Sequence, residues 1–102
     1  MSTLHTVNRS PFEHGALEGC LARVRPGSAV LLIEDGVLGA LAESRFAARL
    51  AALSAEVEFF VLGPDLDARG IEAARLAPFV KVVDYTGFVA LACRFARTVT
   101  WT

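Results

Sequence analysis

The chain has 102 residues and is 54% apolar before any of its eight glycines is counted, where average globular chains reach roughly 45–50% with glycine included. Its longest stretch free of charged residues, Tyr85 to Cys93, spans nine residues, less than half of the about 20 that a membrane-spanning helix needs. Ten basic and eleven acidic residues leave a net charge of −1, with the arginines scattered from Arg9 to Arg97, so no basic patch marks nucleic acid as a direct partner.

A folded chain of this length hides only about 65% of the surface its unfolded form exposes, so part of the apolar content is expected at the surface, under a protein partner. The opening MSTLHTVNRSPFEHG has no long apolar run behind a basic segment, and the expectation is no secretory signal and a cytoplasmic location. Two cysteines, Cys20 and Cys93, stand far apart with no CxxC, and the only histidines are His5 and His14. That excludes a disulfide framework and a zinc site readable from spacing; no metal and no cofactor is expected. The length suits one domain over 1–102.

In chain order, Leu4 to Val7 reads as a first strand. Ser10-Pro11-Phe12-Glu13 then has the features of a helix start, a capping serine, a proline at the first helical position and a glutamate three after the cap. Phe12, Ala16, Leu17, Cys20, Leu21 and Val24 form the apolar stripe of that helix, which Arg25-Pro26-Gly27 ends. Ala29 to Ile33 is a continuous apolar run and reads as a strand buried on both faces, central or nearly so. Val37 to Leu53 is expected to be one long helix, and Val57 to Leu62 a strand closed by Gly63-Pro64-Asp65. Asp65 to Ala77 reads as a short helical stretch interrupted by Gly70. Phe79 to Val83 is the fourth strand. Asp84-Tyr85-Thr86-Gly87 introduces a last helix with core stripe Phe88, Leu91, Ala92 and Phe95, and Thr98 to Trp101 suits a fifth strand. This alternation predicts an α/β fold with three layers, α/β/α, and a mostly parallel five-stranded sheet.

In such sheets ligands bind outside the carboxyl ends of the strands, which directs attention to Asn8-Arg9-Ser10, Glu34-Asp35-Gly36, Gly63-Pro64-Asp65 and Asp84-Tyr85. Arg9 beside a helix start suits an anion, or is simply solvated. Glu34, Asp35, Asp65 and Asp84 suit a divalent cation, but read more simply as capping and turn acids. The sole lysine, Lys81, falls inside the fourth strand and not at the end of the last, which argues against a phosphoreceiver domain. No glycine-rich phosphate loop is present. A thiol carries persulfide sulfur when it is accessible and its thiolate is stabilised. Cys20 is the candidate for that chemistry, although mid-stripe on a helix it suits a small buried hydrophobe. Cys93 lies off the main stripe of the last helix, exposed or under a partner. His5 reads as a satisfied core histidine and His14 as solvated.

The segments LHTVNRSPFEHGALEGCL, AVLLIEDGV, VLGPDLDARGI and VKVVDYTGFVAL, with the terminal Trp101, together resemble the DsrH/TusB family of small sulfur-relay subunits, collinearly over nearly the whole chain. The resemblance implies a DsrE-like fold. It also implies assembly with two homologous subunits, DsrE/TusD-like and DsrF/TusC-like, into an α2β2γ2 heterohexamer that passes persulfide sulfur to a DsrC/TusE-like carrier protein. The principal sulfur-carrying cysteine of such complexes is on the DsrE/TusD-type subunit, so this chain is expected to be accessory, with Cys20 a candidate secondary persulfide site. The cysteine within HGALEGCL resembles the DsrEFH branch, which serves the oxidation of stored sulfur, and that branch is the leading expectation. The alternatives are the TusBCD branch, which serves 2-thiolation of the tRNA wobble uridine, and an unrelated small anion- or ligand-binding module using Arg9 and the acidic rim.

Overall fold

The computed structural model describes residues 2–102. Five strands, β1 (Thr3–Val7), β2 (Ala29–Leu32), β3 (Glu58–Leu62), β4 (Val80–Val83) and β5 (Arg97–Trp101), form one sheet in the order β4-β3-β2-β1-β5. Every pairing is parallel. Parallel neighbours need crossovers, and helices supply them: α1 (Ala16–Arg23), α2 (Ala47–Leu53), α3 (Gly63–Ala68) and α4 (Tyr85–Arg94). The expected three-layer α/β architecture is therefore present, and β2, whose apolar run has no polar alternation, is the central strand and buried throughout.

The two faces of the sheet are covered unequally. Val7, Val30, Leu32, Phe59 and Val61 pack beneath α1, α2 and α3 with Leu17, Cys20, Leu50 and Leu66. The opposite face, with Leu4, Ala29, Leu31 and Phe60, receives Leu91 and Phe95 of α4. The cause is topological. The β4-to-β5 connection must carry the chain from one edge of the sheet to the other, and α4 is the ten-residue helix that makes the crossing.

Two helices depart from the sequence expectation. Ser10 does not start a helix at Pro11: its Oγ accepts the Phe12 N–H at 3.3 Å, and its carbonyl accepts from Glu13 and His14. This closes a local turn, and α1 begins only after Gly15. Phe12 consequently leaves the core stripe, remaining 45% exposed, with its ring beside Phe46 and under the Arg45 guanidinium. The long helix expected over Val37–Leu53 is instead a 3-10 segment, Glu34–Ala40, followed by α2. Between them Leu41 pairs with Leu76, with Ala42 N–H on the Arg75 carbonyl and Ala77 N–H on the Ala40 carbonyl, both at 2.9 Å. Backbone groups spent on a distant segment are lost to the helical ladder. Gly70, at φ +64°, ends α3 as expected, and a 3-10 turn over Ala73–Arg75 follows it.

Candidate functional site

The loops that follow β1, β2 and β3 meet at the carboxyl rim. The Glu34 N–H donates to Asp65 Oδ2 at 2.6 Å. Arg69 donates to Asp35 Oδ1 at 2.9 Å and to the Asp65 carbonyl at 3.0 Å. The EDGV and DLDARG segments, which begin 31 residues apart in the chain, are thus clasped together. Gly36 makes the clasp possible, because a Cβ there would stand 2.2 Å from the Val7 carbonyl oxygen. Glu34 adopts a left-handed backbone, φ +50°, a conformation costly for a side-chain-bearing residue. Asn8, Arg9, Glu34, Asp35, Arg69 and Thr102 line a polar cavity of about 260 Å³ here, and the buried Asn8 Oδ1 has no donor among the described residues.

Three of the four candidate cation ligands are engaged elsewhere. Asp65 serves the Glu34 amide, Asp35 serves Arg69, and Asp84 Oδ1 accepts the Gly87 N–H at 2.8 Å as the N-cap of α4. Among the described residues no group of three His, Cys, Asp or Glu is placed to hold a metal. Arg9 is exposed at the cavity mouth and takes part in no ion pair among the described residues. Arg69, which closes the rim, was not singled out in the sequence; its spacing of four after Asp65 was the available signal.

Cys20 is fully buried beneath α1. Burial pushes its thiol up to about 12, and among the described residues no cation or helix N-terminus offsets that cost. In this conformation the thiol is protonated and out of reach of a sulfur donor. Cys93 is exposed on α4. His5 is buried, and its Nδ1 accepts the Trp101 Nε1–H at 3.0 Å, so the neutral ring carries its proton on Nε2. His14 is exposed.

The outward side of α4 is the largest departure from an ordinary soluble surface. Tyr85 is 61% exposed and Val89 63%. Thr86, Ala90, Cys93 and Ala96 fill in around them, and Arg94, the charged residue of this helix, turns aside to pair with Glu58. With Phe88, Leu91 and Phe95 facing the sheet, the helix is apolar on both sides, the pattern of one buried in a larger assembly. Tyr85, Val89, Cys93 and Ala96 recur at steps of four, four and three, a second stripe that was legible beside the core stripe.

Comparison with known proteins agrees with this architecture. The chain is similar to the ychN protein from E. coli, with a TM-score of 0.83 at 18% identity over 99% of this chain and 100% of that one. It also resembles MTH1491 from Methanobacterium thermoautotrophicum, with a TM-score of 0.77 at 17% identity over 97% and 96%. Both show the fold. Closer in sequence are proteins named TusB, 39% identical in Enterobacter sp. (strain 638) and 41% identical in Erwinia tasmaniensis, each over 96% of this chain and 99% of the relative. These relatives favour the TusB alternative over the sulfur-oxidation reading, which leaned on the cysteine pattern around Cys20. A family model described as DsrH like protein matches residues 9–98, and with that match the chain belongs to the DsrH-like family, within which it is similar to TusB proteins.

Proposed function

We propose that the chain is a TusB-like, accessory subunit of a sulfur-relay complex that supplies sulfur for 2-thiolation of the tRNA wobble uridine. The observation that carries this reading is the near-full-length identity of 39–41% to proteins named TusB. The chemistry of the chain supports an accessory role. A persulfide carrier needs a reachable thiolate, and Cys20 is sealed with its thiol pushed up to about 12. The exposed apolar side of α4 supports an assembled state, since contiguous apolar surface of this kind marks interaction sites. In the proposed complex the DsrE/TusD-like subunit carries the persulfide, the DsrF/TusC-like subunit completes an α2β2γ2 hexamer, and a TusE-like protein takes the sulfur onward.

The reading is tested by co-expressing the chain with its two homologous subunits and measuring 2-thiouridine in tRNA of a strain lacking its own TusB. Restored 2-thiouridine together with co-purification of all three chains is the expected result. Co-purification without restored thiolation returns the complex to the sulfur-oxidation branch. A chain that stays alone in the presence of both homologues overturns the assembly itself. A secondary persulfide role for Cys20 requires α1 to lift from the sheet within the complex. Its signature is a gain of about 32 Da on the chain after exposure to a sulfane-sulfur donor, absent in Cys20→Ala.

A further inference from the structure

At the amino ends of the strands, on the side opposite the clasped rim, a small cavity of about 60 Å³ is lined by Thr3, His5, Arg23, Arg25, Ser28 and Arg97. The three arginines that line it come from three places, the last turn of α1, the loop after it and the first residue of β5, and Arg23 Nη1 also donates to the Gly19 carbonyl at 3.5 Å. None of the ion pairs among the described residues uses any of these arginines, and no carboxylate among the described residues lines the cavity. Elsewhere in this chain arginines do find acids: Arg69, Arg75 and Arg94 are all paired.

The remaining walls offer donors. Thr3, His5 and Ser28 are buried. The Thr3 Oγ1 already accepts from Arg97 Nε at 3.2 Å, and the Ser28 Oγ already accepts the Thr3 N–H at 3.2 Å, so each hydroxyl has its proton left to give. The first of these bonds also holds Arg97 in place through Nε, leaving its terminal amino groups free. His5 Nδ1 is occupied by Trp101, which puts the ring proton on Nε2. Arg97 also contributes, after burial, to holding His5 below its ordinary value of 6.5, which reports a positive field at the ring.

Converging cations repel one another unless a counter-charge stands between them. Guanidinium forks suit oxyanions, to which they donate in pairs. The space is far below the roughly 300 Å³ at which pockets for larger organic ligands begin. From these observations we propose that the cavity between α1 and the amino ends of β1, β2 and β5 binds a small tetrahedral oxyanion of the sulfate or phosphate class, held by Arg23, Arg25 and Arg97.

Trp101 is the single tryptophan and is bonded to a ring that lines the cavity, so it serves as a built-in reporter. The full chain is titrated with sodium sulfate and with inorganic phosphate at ionic strength held constant by sodium chloride, following Trp101 emission and, in parallel, heat by calorimetry. The expected result is saturable binding, at least about tenfold weaker in Arg25→Gln and in Arg97→Gln, in keeping with the loss of a charge-assisted hydrogen bond. Arg45→Gln, remote from the cavity, is expected to bind as the parent does. Phosphoserine forms a further arm: binding equal to inorganic phosphate means that the oxyanion is presented on a larger molecule, and weaker binding that the free ion is the ligand. All three arginines are exposed, so the variants are expected to fold, which thermal unfolding checks. The absence of both heat and saturable emission change overturns the site. So does a response that chloride reproduces, or unchanged affinity in both variants.

Discussion

Cys20 and Cys93 are the same chemical group in opposite surroundings, and their reactivity follows from those surroundings alone. A thiol pushed up to about 12 carries almost no thiolate at neutral pH, whereas Cys93 faces solvent. Maleimide at pH 7.5 is therefore expected to add once to the native chain, at Cys93, and twice after denaturation, as read by intact mass and peptide mapping. Rapid native labelling of Cys20 would show that α1 opens. His5 gives a second expectation. Burial first, then Arg97, holds the imidazole below 6.5, so below that pH the unfolded chain binds more protons than the folded one. Stability is complete above 6.5 and is lost as pH falls toward the folded value. Glu58 acts in the same direction at lower pH: the Arg94 hydrogen bond leads in holding its carboxyl below the ordinary 4.5, so its contribution is present above 4.5 and disappears on acidification through the folded value. Thermal unfolding followed from pH 8 to pH 4 should show a plateau and then a decline below 6.5. In His5→Gln, which does not titrate, the part of that decline just below 6.5 should shrink; an equal decline would assign it to other groups. The buried histidine was legible from its place in an apolar strand, but its Trp101 partner was not, because the register that sets β5 beside β1 is a long-range pairing.

Among the elements, α4 is the one whose local sequence carries its own instructions. Asp84 caps it through the Gly87 N–H, and Gly87 is needed there, since a Cβ would stand 2.9 Å from Val83 Cβ. Asp84→Ala is expected to cost about 1 kcal/mol, lowering Tm by roughly 4–8 °C for a chain of this size, while Asp84→Asn should retain most of the cap. A loss no larger than that of an uninvolved surface acid such as Glu72→Ala would remove the cap from the account. The strands were equally legible, since β2 and β3 are apolar runs bounded by turn residues and fall within one residue of their expected limits at either end. The helices on the other face were less so. Ser10-Pro11-Phe12-Glu13 satisfies every local rule for a helix start, yet Ser10 spends its side chain on a turn, and the helix waits for Gly15. Likewise nothing within Val37–Leu53 announces that Leu41 will pair with Leu76. Both misreadings come from one cause: local capping and periodicity are weak preferences, and a backbone hydrogen bond to a distant segment outweighs them.

At the scale of the molecule, the uneven cover of the sheet and the apolar outer side of α4 bear on assembly. Val89→Asp places a charge on a 63% exposed position and is expected to leave the isolated chain within about 0.5 kcal/mol of the parent. In the proposed complex the same change is expected to abolish co-purification with the two homologous subunits. Intact assembly would move the contact to another surface; a large fall in Tm of the isolated chain would show that α4 is packed differently. Composition alone, 54% apolar in 102 residues without a span long enough for a membrane, already required that some apolar surface lie outside the core, because a chain this small has too little interior to hold it. The order of strands and helices, and hence the α/β class, also followed from the sequence, because apolar periodicity is a local property of the chain. Which apolar residues stay outside did not. Tyr85 and Val89 are exposed, and Cys20 is sealed, because α4 crosses one face of the sheet while α1, α2 and α3 crowd the other. The same folding gathers Arg23, Arg25 and Arg97 around one cavity. Such placements are decided by which strands become neighbours, a relation between segments far apart in the chain that no local pattern contains.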